Sequence, residues 1–248
     1  MRNIWTIAKR EFNNYFTSPI AYVSAAVLLL FMGGYFSYII NILSQQSVFG
    51  GGGQVPDAGA LNGLFAFFLL WITPFLTMRT LSDEARTGTI ELLLTAPVRD
   101  YELVIGKWLG GLLFIALIIV CTLAYPLILY KLTTPGIDLR IALTSYLGLL
   151  LMAGALFALG VGISAMFNNQ IAALFVTFGL FITLWWLIGL PGNAPIGGDI
   201  FQYLVFSSHF ENSFNTGVIN LSDTIYYVSM IAVGLFVGTT AVEVRRWQ

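Results

Sequence analysis

IALTSYLGLLLMAGALFALGVGISAMF, the stretch from Ile141 to Phe167, holds 27 residues and no charged side chain. A bilayer core of about 30 Å is crossed by about 20 apolar residues at about 1.5 Å rise each, so this stretch is long enough to span it as a helix. Working outward, five more runs of the same kind appear: Ile20 to Ile40, Leu61 to Met78, Leu109 to Tyr130, Ile171 to Leu190 and Leu221 to Val242. The runs are continuous, without the in-out alternation that a lipid-facing strand requires, so a sheet barrel is excluded. Helices satisfy their own backbone where water is absent, and the expected fold class is all-α, a polytopic membrane protein with six transmembrane helices.

Composition agrees. Of 248 residues 58% are hydrophobic and 9% charged, far from the roughly one-quarter charged makeup of soluble domains. Six spans use most of the chain, so a single transmembrane domain over residues 1–248 is expected, and no nucleic-acid partner. The net charge of −1 conceals segregation of the 11 basic residues. Arg2, Lys9, Arg10, Arg79, Arg86, Arg99, Lys107, Arg245 and Arg246 fall on one side of the six-span arrangement, and Lys131 and Arg140 on the other. Basic residues are retained in cytoplasmic segments, so both termini are expected in the cytoplasm. The first run follows a leader and precedes Asn41 to Gln46 rather than a small-residue cleavage site, and reads as an uncleaved span. The single cysteine, Cys121, permits no intramolecular disulfide and reads as apolar filler.

No Asp, Glu, Lys, Arg or His lies in the centre of any run. Such groups mark proton relays and ion sites, so their absence weighs against an ion-driven secondary transporter. Carbonyls freed at Pro74 or Pro126 could still bind an ion, although membrane prolines usually make tolerated kinks. The other rival is an intramembrane hydrolase built on Ser207-Ser208-His209. Adjacent residues do not readily form a nucleophile-base pair, and no buried acid is evident to orient the histidine. That cluster sits in residues 191–220, an aromatic-rich outer segment expected to lie at the interface or to re-enter the membrane.

Two inner segments carry information. In the leader, residues 1–18, Ile4, Trp5, Ile7, Ala8, Phe12, Tyr15 and Phe16 share one helical face, opposite Lys9, Arg10, Asn13 and Asn14. This predicts an interfacial helix. Glu11 falls amid the apolar face; it either snorkels to the headgroups or pairs with a base from another inner segment, Arg79 and Arg86 being nearest in expected depth. The second segment, residues 79–107, reads RTLSDEARTGTIELLLTAPVRDYELVIGK. Ser82 can cap a short helix with Asp83 and Glu84 in its first turn; Gly88 interrupts, and Thr89 can restart a helix that Pro97 ends. Asp100 can cap the third span. By pattern the segment is either a solvated loop or a lever for another protein. Small residues four apart, Gly106 with Gly110 and Gly160 with Ser164, permit close helix contact within the chain or across a dimer.

Glu84-Ala85-Arg86-Thr87-Gly88-Thr89-Ile90-Glu91-Leu92-Leu93-Leu94 with Ala96-Pro97 and Gly106-Lys107 resembles the cytoplasmic signature of the ABC-2 permease family. The leader's Lys9-Arg10-Glu11-Phe12, the loop Asn169-Gln170, His209-Phe210-Glu211, Gly217-Val218-Ile219 and the closing Glu243-Val244-Arg245-Arg246-Trp247 resemble the gliding-motility-associated permeases and the related permeases of copper-enzyme maturation. The resemblance implies a permease subunit of an exporter in a bacterial inner membrane, carrying an amphipathic or lipid-linked substrate. It implies dimerisation with an identical or paralogous permease chain, and a coupling helix seated on a separate ABC ATPase. Ser82, Asp83, Glu84, Arg86, Gly88, Thr89, Glu91 and Leu92 would form that contact. The chain has no GxxxxGK[ST] phosphate loop, so ATP and Mg are expected on the partner, with no cofactor or metal held here.

Overall fold

Small side chains decide where the helices meet. In lipid there is little hydrophobic drive between helices, and close approach depends on residues that let backbones touch. The fourth apolar run supplies Gly148, Ala153, Gly154, Ala158, Gly160, Gly162 and Ser164, and it becomes the centre of the protein. A computed structural model describes residues 2–48, 58–88, 98–132, 137–193 and 198–246. Its helices are α1 (Arg2–Tyr15), α2 (Pro19–Val48), α3 (Ala58–Thr77), α4 (Ser82–Thr87), α5 (Asp100–Thr122), α6 (Ala124–Leu132), α7 (Leu139–Met166), α8 (Gln170–Trp185), α9 (Gly198–Tyr203), α10 (Phe206–Glu211) and α11 (Leu221–Arg246). No strand occurs among the described residues.

Six stretches are long and apolar enough to cross a membrane, in the six places the apolar runs mark. Of the α7 span 78% is buried, against 17% of α2, so α7 is the hub and α2 faces mostly outward. On α7, a Cβ at Gly162 would lie 2.6 Å from the Gly234 carbonyl of α11, and one at Gly234 would lie 2.5 Å from the Ala158 carbonyl carbon. Gly160 faces Thr77 at the end of α3 with no room for a side chain. Gly160 therefore serves packing inside the chain.

The prolines act as tolerated kinks. Helix α3 runs through Pro74. The third span breaks at Leu123, where Pro126 lacks the N–H that would bond the Thr122 carbonyl four residues back. The Tyr146 hydroxyl donates to that carbonyl at 2.8 Å, so the break leaves no orphan oxygen there for an ion.

At the end of the spans opposite both termini, residues 198–216 fold back onto α7, α8 and α11. Phe206, Phe210 and Phe214, four residues apart, are all fully buried. The Tyr227 hydroxyl donates to the Phe206 carbonyl at 3.0 Å and Asn215 Nδ2 to the Gly59 carbonyl at 3.1 Å. His209 is buried here, not surface-lying.

Candidate coupling site

Helix α5 begins with a stripe of buried positions, Leu103, Val104, Lys107, Gly110, Gly111 and Phe114, at helical spacing. Five of the six are apolar or glycine, and the sixth is a lysine 2% exposed. Its burial follows from α1, which docks along this stripe in parallel register. Asn3 donates to Glu102 at 3.2 Å, Ile7 covers Gly106, Glu11 covers Gly110, and Tyr15 stacks on Phe114 at 5.0 Å, each pair 99 residues apart. Gly106 and Gly110 thus admit α1, since a Cβ on Gly110 would lie 2.8 Å from the Ala8 carbonyl oxygen. Burial and the neighbouring Glu11 carboxylate push the Tyr15 phenol well above its ordinary range, so it stays protonated and donates to the Leu76 carbonyl at 3.3 Å.

The Lys107 ammonium has three donors and meets three acceptors: Glu11 Oε1 at 3.1 Å, Glu84 Oε1 at 2.8 Å and the Thr80 carbonyl at 2.7 Å. One side chain therefore joins α1, the end of α3, α4 and α5. Arg10, half exposed, adds contacts to Glu11 at 3.2 Å and Glu84 at 3.9 Å. Glu11 finds its base in Lys107 rather than in Arg79 or Arg86. Arg79 is exposed and Arg86 pairs with Asp83 at 3.0 Å, whereas the α1–α5 register sets Lys107 one helical turn from the Gly110 that Glu11 covers, within reach of its carboxylate.

Helix α4 is fixed at two further points. Ser164 Oγ accepts from the backbone N–H groups of Leu81 and Ser82, both at 3.2 Å, and donates to the Met78 carbonyl at 3.2 Å. Ser82 does not cap its own helix; Leu81 holds the N-cap position and the Ser82 hydroxyl turns back to the Met78 carbonyl. Gln170, at the start of α8, donates to Asp83. Gly88 ends α4 with φ of +73°, a left-handed conformation that glycine adopts without steric cost. Thr89, Glu91 and Leu92, with the expected second helix, lie outside the described residues. Asp100 is the first residue of α5 rather than its cap; Glu102 reaches back to the Arg99 N–H at 3.2 Å and Asp100 pairs with Arg246 at 2.7 Å.

His209 has the orienting acid that sequence reasoning did not find. Asp223 Oδ1 lies 2.7 Å from His209 Nδ1. The other nitrogen, Nε2, donates to the Tyr203 carbonyl at 2.6 Å, and Ser208 Oγ donates to the Val205 carbonyl at 2.7 Å. Both ring nitrogens are committed and the serine turns elsewhere, so the arrangement holds no nucleophile-base pair. Among the described residues no group of three metal-ligating side chains forms a metal site.

A family model described as ABC-2 family transporter protein matches residues 5–242. The chain belongs to the ABC-2 transporter family. It is a multi-pass membrane protein and a membrane subunit lacking the ATPase domain; permeases of this family generally pair with a separate ATPase subunit. A search of curated proteins finds no match.

Proposed function

We propose that this ABC-2 subunit is the permease of an exporter, both termini cytoplasmic, that dimerises with an identical or paralogous chain and moves an amphipathic or lipid-linked substrate. ATP and Mg act on the partner ATPase. The ATPase contact is the segment from Ser82 to Pro97, with Gly88 and Glu91 as its sensitive positions. The observation that carries this reading is the Lys107 junction: a lever transmits force only where it is anchored, and α4 is held by Lys107, Ser164 and Gln170 to three different spans. Within the family, the ordered motifs resemble the gliding-motility-associated group, without implying gliding itself.

The test expresses Gly88→Val and Glu91→Arg with the partner ATPase and measures membrane level, co-purification, substrate-stimulated hydrolysis and transport. Valine at a φ of +73° costs about 1–3 kcal/mol and misdirects whatever follows. Both variants are expected to reach the membrane at parental levels and to lose ATPase association or coupling. Parental association and transport in both would refute the assignment.

A further inference from the structure

A cavity of about 460 Å³ opens where the α1–α2 corner meets the ends of α3 and α4. The carboxylates in its lining are already paired, Glu11 and Glu84 with Lys107 inside the cavity and with Arg10 beside it, and Asp83 with Arg86 beside it. What is left over is a set of donors. Among the described residues the side chains of Asn14, Ser18 and Arg79 line the cavity without a hydrogen bond or ion pair of their own. The guanidinium of Arg79 is the cation of the lining that has no ion-pair partner among the described residues. The lining also has an apolar part, Ile20, Leu76 and Phe75, the last 40% exposed. A guanidinium fork with amide and hydroxyl donors suits the oxygens of a phosphate, and an adjoining apolar wall at the start of a span suits an acyl chain.

We propose that this cavity binds the phosphodiester headgroup of an anionic membrane lipid, Arg79 gripping the phosphate and Ile20 and Phe75 bordering the first acyl carbons. Snorkelling alone would make Arg79 one interchangeable cation among several; a built site makes it distinct from an exposed cation such as Lys9. The site does not depend on the export reading, since a chain that transported nothing would still bind.

Native mass spectrometry of the full chain in detergent, titrated with phosphatidylglycerol, tests it. Loss of a charge-assisted contact weakens binding by about tenfold or more, so Arg79→Gln is expected to do so, with Arg79→Lys intermediate. Ile20→Trp, which fills the cavity, is expected to weaken binding without removing charge, and Lys9→Gln to leave it unchanged. Equal effects of Arg79→Gln and Lys9→Gln, or none from either, would overturn the site. Glycerol phosphate competing as well as the lipid at equal concentration would mean a soluble phosphate ligand and would overturn the lipid assignment.

Discussion

Lys107→Met keeps an unbranched apolar stem and removes the ammonium. Three charge-assisted contacts disappear, to Glu11 at 3.1 Å, Glu84 at 2.8 Å and the Thr80 carbonyl at 2.7 Å, each worth about 1.5–3 kcal/mol. Two carboxylates are then stranded beside each other among packed helices. Arg10 remains within 3.2 Å of Glu11 and 3.9 Å of Glu84, but it is half exposed and recovers about 1 kcal/mol at most. The net cost is about 3–5 kcal/mol, the usual consequence of breaking a buried pair from one side. For a chain of this size each kcal/mol moves the midpoint by about 2–4 °C, so the apparent unfolding temperature in detergent should fall by about 10 °C. Adding Glu11→Gln and Glu84→Gln to the methionine variant removes the stranded charges and should recover more than half of that loss. Fluorescence-detected gel filtration after heating reads both. A shift under about 2 °C for Lys107→Met, or a triple variant less stable than the single one, would refute the junction as an energetic anchor.

The nine-to-two distribution of basic residues predicts that cysteines at Gly52 and Asn193, with Cys121 removed, react with an impermeant thiol reagent outside intact cells, and that one at Arg99 does not. Labelling of the Arg99 position from outside would reverse the orientation. Gly234→Ala places a methyl group 2.5 Å from the α7 backbone and should cost about 1–3 kcal/mol in thermal stability, while Gly179→Ala, which meets nothing within 4 Å, should be neutral or slightly stabilising. Equal midpoints for the two would contradict the α7–α11 packing.

The six spans could be read directly because continuous apolar length has few other meanings, and the structure puts its six long helices on those runs. The site was harder, for reasons that differ from residue to residue. Glu11 stood out as a carboxylate on an apolar face, but its partner did not, because Lys107 had already been counted as a marker of sidedness. The missed signal was its place on the Leu103, Val104, Gly110, Gly111 and Phe114 stripe, where a cation needs an acid. Ser164 was recognised as small, whereas its hydroxyl closes the backbone of α4. Gly234 and Gly238 carry the same small-residue spacing as Gly106 and Gly110 and went unremarked in a run read only for length. Asp223 stands near the head of the last apolar run, and nothing in a linear string sets it against a histidine fourteen positions earlier.

The parallel seam between α1 and α5 also orders events during synthesis. Contacts along it join residues about 100 apart, so α1 leaves the ribosome long before its docking surface exists. At about 5–20 residues per second the wait lasts about 5–20 s. Through that interval the face carrying Ile7, Ala8, Glu11 and Tyr15 has no protein to cover it, and the headgroup layer is the available shelter. The amphipathic pattern of the leader therefore describes its waiting place, and the carboxylate at Glu11, awkward there, is the group that Lys107 captures when the third span arrives.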